Sequence, residues 1–149
     1  MDINCLIIKM DQYNILFEIF HKLDFKSQLA LIFTCSTTKN NLFIIDLYHI
    51  EEKYLELLDD NFLKHDIFQQ TRKLKANKKI TNVSFMKNLK ILDASIRCGI
   101  GQDGIMGLDL IELNASSNNK ITDVSFMKNL KVLSARGMIV ELVKMALKN

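Results

Sequence analysis

With 149 residues, 48% of them hydrophobic and 25% charged, the chain has an ordinary globular balance. That excludes global disorder and allows a buried core without a disulfide or metal staple. The net charge of +3 is spread along the length with no long block of like charges, which argues against nucleic acid as a partner.

The cysteines Cys5, Cys35 and Cys98 are odd in number and far apart, and none has ligand spacing to His21, His49 or His65. Reduced thiols are expected, with no disulfide framework and no metal site. The apolar run at residues 5–8 is too short for a signal sequence, and Asp2 has the wrong charge for one. No stretch approaches the roughly 18 apolar residues of a membrane span. A cytoplasmic protein without a membrane partner is the expectation.

Residues 1–70 are read as a helical region. Leu16, Ile19, Phe20 and Leu23, then Leu29, Ile32 and Phe33, recur at helical spacing. Asp24 and Ser27 are candidate caps of the second helix, a third helical stretch runs from about Leu42 to Leu58, and Asp60 or Asn61 starts a fourth.

Ile15-Leu16, Ile19-Phe20, Leu23-Asp24, Leu29, Leu31 and Cys35-Ser36 together resemble an F-box. Two departures stand out. Asp11 and Gln12 occupy the place of the usual Leu-Pro, and the tryptophan expected after the cysteine is missing. The resemblance implies that Leu16, Ile19, Phe20, Leu23 and Leu29 dock onto the linker protein of a cullin-type ubiquitin ligase. The competing reading makes the same residues the core of a plain helical cap.

Residues 71–137 carry an internal repeat. Lys79 to Leu92 recurs as Lys120 to Leu133 at an offset of 41, and Val83 to Lys90 is identical to Val124 to Lys131. Leu110, Leu113 and Ala115 form a weaker copy between them, and Leu74 and Ala76 a fainter start, so the period is 20 to 21 residues. Each unit has a short strand of form L-x-x-L-x-A, a turn, and a return segment. A single unit cannot bury its own apolar edge, so the strands are expected to stack into a parallel ladder.

Leu110, Leu113, Ala115, Asn118, Ile121, Val124, Met127 and Leu130 resemble the short leucine-rich repeat, with Ala in place of the third leucine and a poorer asparagine position in the first two units. The resemblance implies an α/β fold: a helical N-terminal segment, a short solenoid of three to four units, and a capping helix over 138–149, where Ile139, Leu142, Val143 and Ala146 have helical spacing. It implies a protein target bound on the concave strand face. There Lys73, Ile91, Glu112 and Val132 form one exposed row, and Lys75, Asp93, Asn114 and Ser134 the next.

Gly99-Ile-Gly101-Gln-Asp-Gly104 matches a dinucleotide fingerprint in letters only. Leu110 begins the next strand too soon for the required helix, so a turn is expected, with Asp103-Gly104 suited to a tight one. No nucleophile sits beside a base, and Asp59-Asp60 and Glu51-Glu52 read as solvated pairs. Thus neither catalysis nor a cofactor is expected.

The combined expectation is a protein–protein interaction module. It is either a substrate-recruiting F-box and leucine-rich-repeat adaptor of a ubiquitin ligase, or a stand-alone repeat protein with a helical cap. Its richness in Asn, Lys and Ile resembles F-box and repeat proteins of giant DNA viruses of amoebae, which implies the host cytoplasm.

Overall fold

Five leucines, at positions 47, 74, 92, 113 and 133, set the architecture. Each is the middle or end of a very short strand, and all five lie side by side in one rung. The computed structural model describes residues 21–34 and 43–137. The strands are β1 (Asp46–Leu47), β2 (Lys73–Lys75), β3 (Ile91–Asp93), β4 (Glu112–Asn114) and β5 (Val132–Ser134). All neighbours pair in parallel, and the spatial order equals the chain order. Among the described residues this is an α/β arrangement with a five-stranded parallel sheet and few helices.

Parallel neighbours require a crossover of a dozen or more residues, usually helical. Here the crossovers after β2 and β4 are chains of turns, and the crossovers after β1 and β3 add only single helical turns. Met86 donates to the Val83 carbonyl and Leu89 to that of Met86, both at 2.9 Å. The second copy of the same sequence repeats the pattern, with Met127 donating to Val124 at 3.0 Å and Leu130 to Met127 at 3.2 Å. Identical residues thus make identical bends, and each bend returns the chain to the next strand.

Between coils the backbone bonding also repeats. The Ala76, Ala94 and Ala115 amides each donate, at 2.8 Å, to the carbonyls of Asp93, Asn114 and Ser134 in the following coil. The carbonyls of Arg72, Lys90 and Ile111 each accept two amides from the following coil. Inside, Ile80, Ile100 and Ile121 are fully buried, as are Leu89 and Leu110. The alanines that follow the leucines sit where the coil is narrow: Ala94 and Ala115 are fully buried, and Ala76 and Ala135 half-buried.

Helix α1 (Phe25–Thr34) precedes the sheet and is capped as the sequence suggests. The Asp24 carboxylate accepts from the Ser27 amide at 2.9 Å and from its hydroxyl at 3.0 Å. Phe25 and Ile32 are buried, and Leu29 and Leu31 pack against the same core as the strands. Phe33 is exposed. The first expected helix, apart from its end at Leu23, and the expected capping helix over 138–149 lie outside the described residues. No helix among the described residues is long and apolar enough to cross a membrane.

One expected helix is corrected. Among the described residues of the stretch from Leu42 to Leu58, which begin at residue 43, the chain is not helical throughout: it enters the sheet as β1 and has a single helical turn, α2 (Glu52–Leu55). Ile44 and Ile45 are β-branched and favour an extended, half-buried backbone. The Ile45 carbonyl accepts the Arg72 and Lys73 amides, and the Thr71 hydroxyl donates to the Ile44 carbonyl at 2.6 Å. Strand pairing therefore overrides the apolar spacing, and the sheet begins at Asp46. The fourth expected helix is observed as α3 (Asp60–Leu63), whose amide at Phe62 is capped by Asp59 at 2.8 Å.

Leu92 is enclosed by leucines from the strands on both sides. Leu92→Ala is expected to destabilise the chain by about 2–5 kcal/mol, read as a lower urea midpoint. The same change at Leu133, half-buried in the last described coil, should cost less. Equal losses at the two positions would contradict the stacked arrangement.

Candidate functional site

Because side chains alternate along a strand, burying the central leucines turns the residues on either side outward. The registered pairs align Asp46, Lys73, Ile91, Glu112 and Val132 in one row. Lys75, Asp93, Asn114 and Ser134 form the second. All eight residues expected on the strand face are brought together there in the expected order. Lys75, Glu112 and Val132 are exposed, and the other five are half-buried.

The face is polarised along the stack. At its first end the Asp46 carboxylate accepts from the Tyr48 amide at 2.8 Å and from His49 Nδ1 at 2.9 Å, and lies 3.7 Å from Lys73 Nζ. Burial raises the Asp46 carboxyl, but these donors and the nearby His49 outweigh it and hold it below its usual range. Asp93 and Glu112 follow, and neither has an ion-pair partner among the described residues. Burial, and then the negative charge of Asp93 and Glu112, push the Tyr48 hydroxyl up. At the far end Val132 is 53% exposed. Tyr48 was missed in the sequence because it falls in the stretch read as helix.

Turn side chains tie neighbouring coils together behind the face. Asn118 donates from Nδ2 to the Ala94 carbonyl at 2.8 Å and the Ile100 carbonyl at 3.0 Å, while its Oδ1 accepts the Lys120 amide at 3.2 Å. Asn77 has the same role nearer the first end of the stack. Its Nδ2 reaches the Leu55 and Leu58 carbonyls, and its Oδ1 accepts the Lys79 and Ile80 amides. Cys98 stands between them, its Sγ 3.2 Å from the Ala94 carbonyl and 3.3 Å from Asn118 Nδ2. Burial pushes its thiol up, so it stays protonated. The asparagine position in the first unit is therefore filled. The readable signal was the distance of three residues from Asn77 to Ile80, which equals that from Asn118 to Ile121.

A second set of clips joins the return segments. Asp60 accepts from the Thr81 amide at 2.8 Å, the Asn82 amide at 3.2 Å and the Thr81 hydroxyl. Two coils on, Gln102 Oε1 accepts from the Thr122 amide at 2.9 Å and the Asp123 amide at 2.8 Å. The glycine-rich stretch contains this second clip. Gln102–Ile105 forms one turn of helix, α4, so the tight turn expected at Asp103-Gly104 is corrected. A side chain at Gly104 would collide with the Thr81 carbonyl, and a Cβ at Gly99 would lie 2.5 Å from that of Ile80. Those two glycines let neighbouring coils touch through their backbones.

The docking residues implied by the F-box resemblance are divided. Leu16, Ile19 and Phe20 lie outside the described residues. Leu23 is half-buried beside a cleft that also involves Phe25, Asp46 and His49. Leu29 is half-buried against the shared core. Among the described residues no three His, Cys, Asp or Glu side chains are grouped to hold a metal. Compared with protein-family models, with curated proteins and with solved structures, the chain matches none.

The two clips predict a pH response. Burial raises the Asp60 carboxyl, but its three donors outweigh it and lower it below its ordinary value. A lowered carboxyl contributes stability that is present above its unfolded value of 3.8 and is lost as pH falls through the folded value. Asp60→Asn should flatten the loss of stability on acidification below about pH 4, measured by urea unfolding. Gln102→Ala should lower stability equally at all pH values.

Proposed function

We propose that this chain is a small leucine-rich-repeat protein that holds a protein partner on its sheet face. One observation carries the reading: rows of unlike side chains stand on a framework of like ones. The rung leucines and the turn asparagines recur, while the outward rows change from lysine to carboxylate to valine. Five strands at about 4.8 Å spacing make a face roughly 20 Å wide, at the low end for a specific interface.

We favour the stand-alone protein over the ligase adaptor. Under the adaptor reading Leu29 belongs to an outward docking surface, whereas it packs against the core together with Phe25 and Ile32. That arrangement suits a helical cap over the first coil. The likeness to repeat proteins of giant DNA viruses would put the partner in a host cytoplasm.

A photo-crosslinking side chain placed at Glu112 or Val132 should attach to one discrete partner protein, and one placed at Lys87, in a crossover, should not. Charge reversal at Glu112 and Asp93 should weaken that capture by about tenfold or more. Equal crosslinking from all sites would oppose the reading. The ligase linker protein, mixed in excess with the full chain, should form no complex; a stable complex would restore the adaptor role.

A further inference from the structure

The coils differ in one place that the sequence period conceals. After the strand, Ala94 is followed by Ser95, Ile96 and Arg97 before Cys98, and Ala115 by Ser116 and Ser117 before Asn118. In the coil of β2, Asn77 follows Ala76 directly. Asn77 and Asn118 bind the carbonyls of the preceding coil in the same way, so the missing residues belong to this turn and to nowhere else in the coil. The backbone agrees. Arg97 and Ser117, each immediately before the inward residue, have φ of 71° and 58°. The β2 coil has no residue in that place.

The short turn leaves a notch in the rim of the stack. The Glu52–Glu56 segment walls it on one side and the longer Ile96–Arg97 turn on the other, with Lys75 and Lys78 between them. Ile96 is 62% exposed at its edge. Lys79 is drawn to the Glu56 carbonyl at 2.8 Å. Lys75, Lys78 and Arg97 have no ion-pair partner among the described residues. Among the described residues four cations against two carboxylates line this opening, an excess of positive charge beside an exposed apolar side chain.

We propose that this notch is a second docking site, which takes an acidic segment of a partner protein with an apolar residue next to its carboxylates. The carboxylates would meet Lys78 and Arg97, and the apolar residue would cover Ile96. The notch adjoins the sheet face at Lys75 but does not depend on binding there. The charges around it are exposed lysines and one arginine on an open rim, which suit a carboxylate-bearing peptide. Among the described residues no aromatic side chain for stacking bases lines it.

The test uses the full chain and a short labelled peptide of glutamate and leucine. Its lysine-for-glutamate counterpart and a single-stranded oligonucleotide of equal charge serve as comparisons, all followed by fluorescence anisotropy. The acidic peptide should bind more tightly than either, and less tightly as salt rises. The double variant Lys78→Glu/Arg97→Glu should weaken it by about tenfold, and Lys128→Glu, in a distant crossover, should not. A Ser-Ser insertion between Ala76 and Asn77, which gives the turn its ordinary length, should also weaken binding while thermal unfolding stays cooperative. No binding of the acidic peptide, tighter binding of the oligonucleotide, or unchanged affinity in both Lys78→Glu/Arg97→Glu and the insertion variant would overturn the proposal.

Discussion

The leucine rung is the constraint on which the rest of this structure depends. A three-residue strand has no stability of its own, and an isolated coil cannot enclose its apolar edge. When Leu47, Leu74, Leu92, Leu113 and Leu133 are placed side by side, each coil becomes the wall of the next. Burial of the leucines fixes the register, because a slip by one residue would turn the whole row into water. The outward residues then have no choice of position, and a charged face is the by-product of an apolar interior.

Polar side chains finish what burial begins. Coils that bend so often strand carbonyls in the interior, and an unpaired buried carbonyl costs about 1–3 kcal/mol. Asn118 answers two such carbonyls from one amide, and Asn77 does the same at the other end. Asp60 and Gln102 meet the amides of the neighbouring return segments. An acid and an amide fill equivalent places because both offer an oxygen that accepts two backbone donors. The glycines at 99 and 104 complete the fit where backbone meets backbone.

Much of this was legible in the sequence because the same physical problem is solved several times. The identity of Val83–Lys90 with Val124–Lys131 announced two equal bends, and the L-x-x-L-x-A spacing located β2 to β5 and both outward rows. β1 was hidden: its coil spans 27 residues from Leu47 to Leu74 and carries no copy of the repeat, so only local apolar spacing was available there. Local spacing cannot report a pairing with a strand many residues away. Asn77 was hidden by the shortened turn that displaces it from the period. Gly104 read as a turn former because a close approach between coils leaves no mark in the letters around it.

The coils stack in chain order through parallel strands, and nuclear Overhauser contacts between α-protons and amides, recorded on the full chain, test this most directly. Interstrand contacts are predicted to link Lys73 with Ile91, Ile91 with Glu112, and Glu112 with Val132 in an unbroken series. Medium-range helical contacts through residues 90–95 and 111–116, with no contacts between these segments, would contradict it.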